Sequence, residues 1–256
     1  MKVPVIDLNS DLGEAFGSHQ IGFDDDLFHL ISSANVACGW HGGDPRVMEK
    51  TVARAIELGV AVGAHPGYMD LVGFGRREIK LSADEARTDT LYQVAALDGF
   101  CRAAGIRMQH VKAHGAFYNA TVKDRVLADA VAAGVKAFDQ GLVMLAQPGT
   151  HLFRASEDAG LPVAREGFID RGYNADGTLV ARGTAGALVT DPSEASERAL
   201  RVVMEHRIRA VDGTDIELDV QSLCVHSDTP GAVEMLIRVR EDLEKTGVTI
   251  QTFGRP

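Results

Sequence analysis

Cysteine is scarce in this chain. Cys38, Cys101 and Cys224 are scattered over 256 residues and form no CxxC pair. That excludes a disulfide framework and points to a reducing, cytoplasmic setting. Basic residues are outnumbered, 26 Lys and Arg against 36 Asp and Glu, which leaves a formal charge of −10. Such a chain is a poor non-specific partner for nucleic acid or an anionic membrane. Long apolar runs are missing as well. The longest stretch without Asp, Glu, Lys or Arg runs from Leu27 to Gly43, carries two His, an Asn and two Ser, and falls short of the ~20 apolar residues a membrane span needs. The opening MKVPVIDLNSD reaches Asp7 and Asp11 too early for the apolar region of a signal peptide. There is no GxxxxGK[ST], HExxH, GxSxG or SxxK, and no Lys follows a Gly anywhere, so ATP, if used, is not held here by a P-loop. No linker, internal repeat or low-complexity run breaks the chain, and one domain over residues 1–256 is expected.

What is present is a repeating pattern: a strand-like run, a turn rich in Gly, His and Asp, then a helical run. Strands are expected at 3–9, 31–37, 60–64, 107–112, 142–146, 162–168, 220–225 and 248–252. Asp44-Pro45 starts a helix that Gly59 ends. Ser82 to Glu85 is a capping box opening a helix to about Gly105. Further helices are expected over about 122–138 and 150–160, from Asp191, and from Thr229-Pro230 to about Gly247, with a hairpin tip at Asp176-Gly177. Alternating strands and helices imply a parallel α/β sheet. The number of units favours an irregular TIM-like (β/α) barrel with helices around parallel strands. An open doubly wound sheet is the rival, but the turn after its first strand would read GxGxxG and here reads NSDLGEAFG.

The unusual polar residues fall at the C-terminal ends of the expected strands, where parallel α/β folds place their active sites. In VIDLNSD the period of two puts Asp7, Asn9 and Asp11 on one face, opposite Ile6 and Leu8. In HVKAH the same period aligns His110, Lys112 and His114. His110 and His114 would lie ~13 Å apart on a strand, too far to share one ion. An inward Lys112 is costly unless paired, and it suits an oxyanion or a phosphate. The alternative for Lys112 is a structural Lys–Asp pair inside the barrel. His65 in GAHPG and His226 in CVHSD each follow small residues on their face, and each alone is as readily a core histidine as a ligand. Asp44 and Asp228 both read as helix caps. Cys38 with His41 invites a thiol nucleophile, against the commoner buried Cys.

DLNSDLGEAFG, NVACGWHGGDP, GAHPGYMD, VKAHGAFYN, EGFIDRGYNADGTLVAR and CVHSDTPGAV, in this order, closely resemble the family of 5-oxoprolinase A subunits, formerly the lactam-utilisation proteins. The resemblance runs from Asp7 to about Val233. Ala113 stands where a Pro is usual and Ser227 where a Gly is usual; both leave their functional neighbours in place. The resemblance implies an irregular TIM-like barrel. It also implies ATP-dependent opening of 5-oxo-L-proline to L-glutamate, with ATP as co-substrate, work alongside the 5-oxoprolinase B and C subunits, and a cytoplasmic setting. Asp11, Lys112, His114 and His65 are then the catalytic candidates. Asp11 would be general base on water, and Lys112, helped by His114 or His65, would stabilise the charged oxygen or phosphoryl group. Asp7, Asn9, Asn35, His41, Asp44, Tyr118, Asn119, Arg171 and His226 are the substrate-binding candidates, with Arg171 suited to a carboxylate. Two readings from other classes stand beside this one. Asp11 with His41, His65 or His114 would hold a divalent metal in a metal-dependent amide hydrolase or deacetylase. Alternatively, the chain is a non-catalytic substrate-binding subunit.

Overall fold

The computed structural model describes residues 3–19, 22 and 24–254. In chain order its elements are β1 Val5–Leu12, α1 Asp24–Leu27, β2 Ser33–Ala37, α2 Pro45–Leu58, β3 Ala61–His65, α3 Ala83–Ala103, β4 His110–Val111, α4 Gly115–Lys123, α5 Arg125–Phe138, β5 Val143–Ala146, α6 His151–Asp158, β6 Val163–Phe168, α7 Pro192–Glu205, β7 Arg207–Arg209, β8 Asp215–Glu217, β9 Ser222–Cys224, α8 Ala232–Lys245 and β10 Thr249–Ile250. The hydrogen-bonded order is β10-β1-β2-β3-β4-β5-β6-β9, with β9 also beside β1. That is the strand order of an irregular (β/α) barrel, as the sequence pattern implied. Among the described residues, no helix is long and apolar enough to cross a membrane.

The chain divides into two compact units: Met1–Ser10, Phe23–Ser32 and Arg165–Phe253 form the first, and Asp11–Gly22, Ser33–Ala164 and Gly254–Pro256 the second. In the second unit, β2, β3, β4 and β5 are neighbours in parallel register, with Asn35 opposite Gly63 and Gly63 opposite His110. Sequence punctuation sets its helices. Asp44 accepts from the Arg46 and Val47 amides ahead of Pro45, and Gly59 ends α2 at φ 70. Met48, Thr51, Val52 and Ala55 form the buried stripe between these caps. Ser82 and Glu85 make the expected capping box of α3. α5 lies close on α3 because it presents Ala128, Ala132 and Gly134; a Cβ on Gly134 would stand 2.6 Å from the Arg87 carbonyl oxygen.

In the first unit, Asp7, Leu8 and Asn9 pair with Ser222, Leu223 and Cys224, while Val5 and Ile6 pair with Thr249 and Ile250. α7 and α8 bury Ala195, Ala199 and Val202 on one side and Met235, Leu236 and Val239 on the other.

Several expected boundaries shift, for local reasons. The strand expected at 107–112 shortens to His110–Val111, flanked by single backbone hydrogen bonds from Gln109 and Lys112 to the neighbouring strand. The helix expected from about 122 begins at Gly115 and breaks at Asp124, whose side chain accepts from the Val126 and Leu127 amides and so starts α5 afresh. α8 begins at Ala232 behind Gly231 at φ 78, not at Thr229-Pro230, so Asp228 is not its cap. The β7–β8 hairpin and the short α1 carry no strong period in sequence and were not anticipated.

Candidate functional site

The second unit gathers its titratable side chains at the C-terminal ends of its strands. Asp11 lies near the end of β1, Glu14 follows it, and His41 sits in the loop after β2. His65 closes β3, and Lys112 and His114 follow β4. None of these six is more than 4% exposed. The turns that bring them in depend on glycine. A Cβ on Gly42 would stand 2.8 Å from the Glu14 carbonyl oxygen, and one on Gly43, at φ +77, 2.9 Å from that of Gly13. Only glycines let the His41 loop pass this close to the turn that carries Glu14.

Asp11 is held from three directions. Lys112 Nζ lies 3.0 Å from Oδ1, Asn35 Nδ2 donates to the same oxygen at 2.8 Å, and His65 Nε2 lies 3.3 Å from Oδ2. A buried carboxylate and a buried ammonium each offset part of the desolvation cost of the other. Asn35 is oriented in turn by His110, whose Nε2 donates to Asn35 Oδ1 at 2.7 Å. Burial, then the nearby Lys112 ammonium, holds His110 down to about 3, so it stays neutral. Its ring lies over Gly63, where a Cβ would come within 2.2 Å.

The histidines next to Asp11 form a tighter group. His65 Nδ1 lies 2.7 Å from the Lys112 carbonyl oxygen and His114 Nε2 lies 2.8 Å from that of Phe74. A carbonyl oxygen only accepts, so both nitrogens carry protons. The other two nitrogens, His65 Nε2 and His114 Nδ1, face each other at 3.0 Å. Glu14 Oε1 lies 3.3 Å from His114 Nδ1 and 3.3 Å from His41 Nε2. The His41 and His114 rings stack in parallel, with centroids 3.7 Å apart. Burial first, then the neighbouring imidazoles, hold both well below the ordinary histidine range. Glu14, His41, His65 and His114 each offer a ligand atom, and these atoms lie within 4.8 Å of one another, a donor set able to hold a metal ion.

Asp11, Lys112, His65, His114, Asn35 and His41, expected as site residues, therefore form one connected group in this unit. Glu14 belongs to it and was not singled out as a site residue in sequence. The signal was there in DLGE, where Gly13 at φ +68 turns the chain after β1. His110 and His114 do not share a ligand position, as the strand spacing required: His110 serves Asn35.

Other expected residues have different partners. Asp44 accepts from the Gly17, Arg46 and Val47 amides and caps α2. The Tyr118 hydroxyl accepts from the Gln147 amide. Asn119 is exposed and lines a groove of about 380 Å³ with Arg76, Lys80 and Lys123. The Cys38 thiol donates to the Val36 carbonyl, and burial pushes it up to about 12, which removes the nucleophile reading.

The first unit holds Asp7, Asn9, Arg171 and His226 in networks of their own. Asp7 accepts from Ser32 and Ser222, and Asn9 Nδ2 donates to Ser222 at 2.8 Å. Asp170 Oδ2 accepts from the His226 amide at 3.0 Å, His226 Nδ1 at 2.8 Å and Thr229 Oγ1 at 2.8 Å. Burial alone would raise Asp170, but His226 and Thr229 hold it down to about 2. Arg171 donates to the carbonyls of Ala187 and Val180.

The LamB/YcsF family matches residues 6–256. The chain belongs to the LamB/YcsF family. A curated relative from Pyrococcus furiosus, named as the A subunit of 5-oxoprolinase, is 51% identical over 97% of this chain and 98% of its own length. Another of that name, from Symbiobacterium thermophilum, is 50% identical over 97% of this chain and 95% of its own. The crystal structure of the lactam utilization protein from Thermus thermophilus superposes with a TM-score of 0.93. It is 46% identical and covers 97% of this chain and 100% of that one. This LamB/YcsF chain thus shares its fold along nearly its whole length with a solved lactam utilization protein.

Proposed function

We propose that this LamB/YcsF chain is the lactam-acting subunit of an ATP-dependent 5-oxoprolinase, opening 5-oxo-L-proline to L-glutamate while ATP becomes ADP and phosphate. The reading is supported by near-full-length identity of about half to curated relatives named as 5-oxoprolinase A subunits. The observation that carries it is the buried Asp11–Lys112 pair bordered by Asn35 and His65.

A five-membered lactam is an unstrained amide with a poor leaving group. A phosphoryl group on its oxygen makes the ring carbon open to water. As water adds, its proton goes to a base; the ring C–N bond then breaks, the nitrogen takes up a proton, and hydrolysis of the acyl phosphate releases glutamate and phosphate. Asp11 is the base in this scheme. Lys112 and Asn35 both donate to it, which keeps it ionised and aimed. Lys112 carries the positive charge that the developing oxyanion or phosphoryl oxygens need, in a water-poor setting where that charge acts strongly. Asn35, fixed by His110, orients the ring. Arg171 is committed to backbone carbonyls, so recognition of the substrate carboxylate is not assigned to it. ATP enters with the partner B and C subunits, in keeping with a chain that has no P-loop.

The test is glutamate release from 5-oxo-L-proline and ATP by this chain alone and with the B and C subunits from the same source. Release only in the full mixture is the expected result. No release in either, from a chain folded by circular dichroism, overturns the substrate assignment.

A further inference from the structure

Beside the Asp11–Lys112 pair lies a group of side chains that the lactam chemistry above does not use. His65 Nε2 and His114 Nδ1 face each other at 3.0 Å, although the carbonyls of Lys112 and Phe74 have already claimed the proton on each ring's other nitrogen. Two imidazole lone pairs at that distance repel unless something positive lies between them. Glu14 Oε1, 3.3 Å from His114 Nδ1 and from His41 Nε2, brings a third acceptor to the same place. His41 makes the convergence sharper: it is 0% exposed, and neither of its ring nitrogens has a hydrogen-bond partner. A fully buried imidazole with no such partner is costly unless a ligand satisfies it.

The geometry points to a binding site for one divalent transition-metal ion formed by Glu14, His41, His65 and His114. Zinc is the best match to three imidazoles and one carboxylate. Metal–nitrogen bonds of about 2.0–2.1 Å place tetrahedral ligand atoms about 3.3 Å apart. Three of the six edges, at 3.0, 3.3 and 3.3 Å, are of that size, and all four ligand atoms lie within 4.8 Å of one another. The N–H bonds from His65 and His114 to backbone carbonyls are the supporting contacts that metal-ligating histidines make with their second nitrogen. The backbone is shaped to the rings: a Cβ on Gly67 would stand 2.7 Å from His41 Nδ1, and one on Gly75 2.7 Å from His114 Cδ2. With Asp11 Oδ2 3.3 Å from His65 Nε2, the ion would sit beside the carboxylate that serves as base. This goes beyond the lactam reading and stands or falls separately from it.

The experiment uses the full chain, stripped with a chelator, dialysed and checked for folding by circular dichroism. Zinc is titrated by calorimetry and by melting temperature, and cobalt by its visible absorption. Wild type should take up one zinc per chain, melt at a higher temperature with it, and give the intense absorption of tetrahedral cobalt. Glu14→Gln and His41→Ala should each weaken uptake at least ~10-fold, the least that even a supporting residue costs. His206→Ala, on an exposed residue, should leave uptake unchanged. A folded, stripped wild-type chain that binds no zinc, or gives only the weak spectrum of six-coordinate cobalt, overturns the proposal whatever the variants do. Unchanged uptake in both ligand variants overturns it as well. Glutamate release does not enter the readout, so this test and that of the lactam reading fail independently.

Discussion

Asp170 in the first unit and the Glu14–histidine group in the second are both fully or nearly fully buried, yet their local accounts differ. Asp170 receives three donors on one oxygen and is held down to about 2. In the second unit, lone pairs meet lone pairs across 3.0 and 3.3 Å, and neither ring nitrogen of His41 has a hydrogen-bond partner. In the first arrangement donors meet an acceptor at Asp170 Oδ2, although Oδ1 is buried without a hydrogen-bond partner, and a protein keeps such a network to hold its shape. The second is incomplete without a positive species. Burial of charged residues does not separate structure from function here; the sign of what they face does.

The largest effect is expected at Lys112. Lys112→Met removes the cation beside Asp11 while keeping most of the side-chain volume. In the complete mixture with the B and C subunits it should lower the rate of glutamate release by ~10²–10⁴-fold, from the scale of general acid–base and electrostatic contributions. A rate within a few-fold of wild type would make the pair structural, the alternative its sequence pattern left open. Next in size is Gly63→Ala. Its new methyl meets the His110 ring at 2.2 Å, displaces the residue that aims Asn35, and should cost about 3 kcal/mol or more, read as a lower denaturant midpoint.

Asp170→Asn tests the donors gathered at Asp170 Oδ2. The native Asp170 value of about 2 lies below the ordinary ~3.9 of an unfolded chain, so its stabilisation is present above ~4 and is lost as pH falls through about 2. The variant should lose roughly 2–3 kcal/mol at neutral pH, and the gap between the two melting temperatures should close as the pH is lowered towards 2. A constant gap would mean that the packing of Asp170, not its charge, matters. The smallest effect is expected at His206, the C-cap of α7, which adopts φ 54 without being a glycine. His206→Gly should be neutral or stabilise by up to ~1 kcal/mol.

Much of this was legible in the sequence, and particular residues show why. The α2 and α3 boundaries follow from Asp44-Pro45, Gly59 and the Ser82–Glu85 box, whose hydrogen bonds are local and hence written in adjacent residues. The period of two placed Asp11 on the polar face of its strand, and the strand-end rule picked out His65 and Lys112. What escaped depends on contacts distant in sequence. Glu14 joins the histidines only because Gly42 and Gly43 let another loop lie against its turn. The break between α4 and α5 comes from Asp124 serving as last cap of one helix and first cap of the next, which a continuous apolar pattern conceals. The partners of Asp170 escaped as well, because His226 and Thr229, which close on it, lie more than fifty positions on.

The most direct test of the account is glutamate release by the complete mixture when the chain carries Asp11→Asn. The amide keeps the size of Asp11 but can neither take a proton from water nor carry the charge that Lys112 faces. A folded variant with release no higher than background is the predicted result. A folded variant that releases glutamate at the wild-type rate would contradict it and move the chemistry away from the second unit.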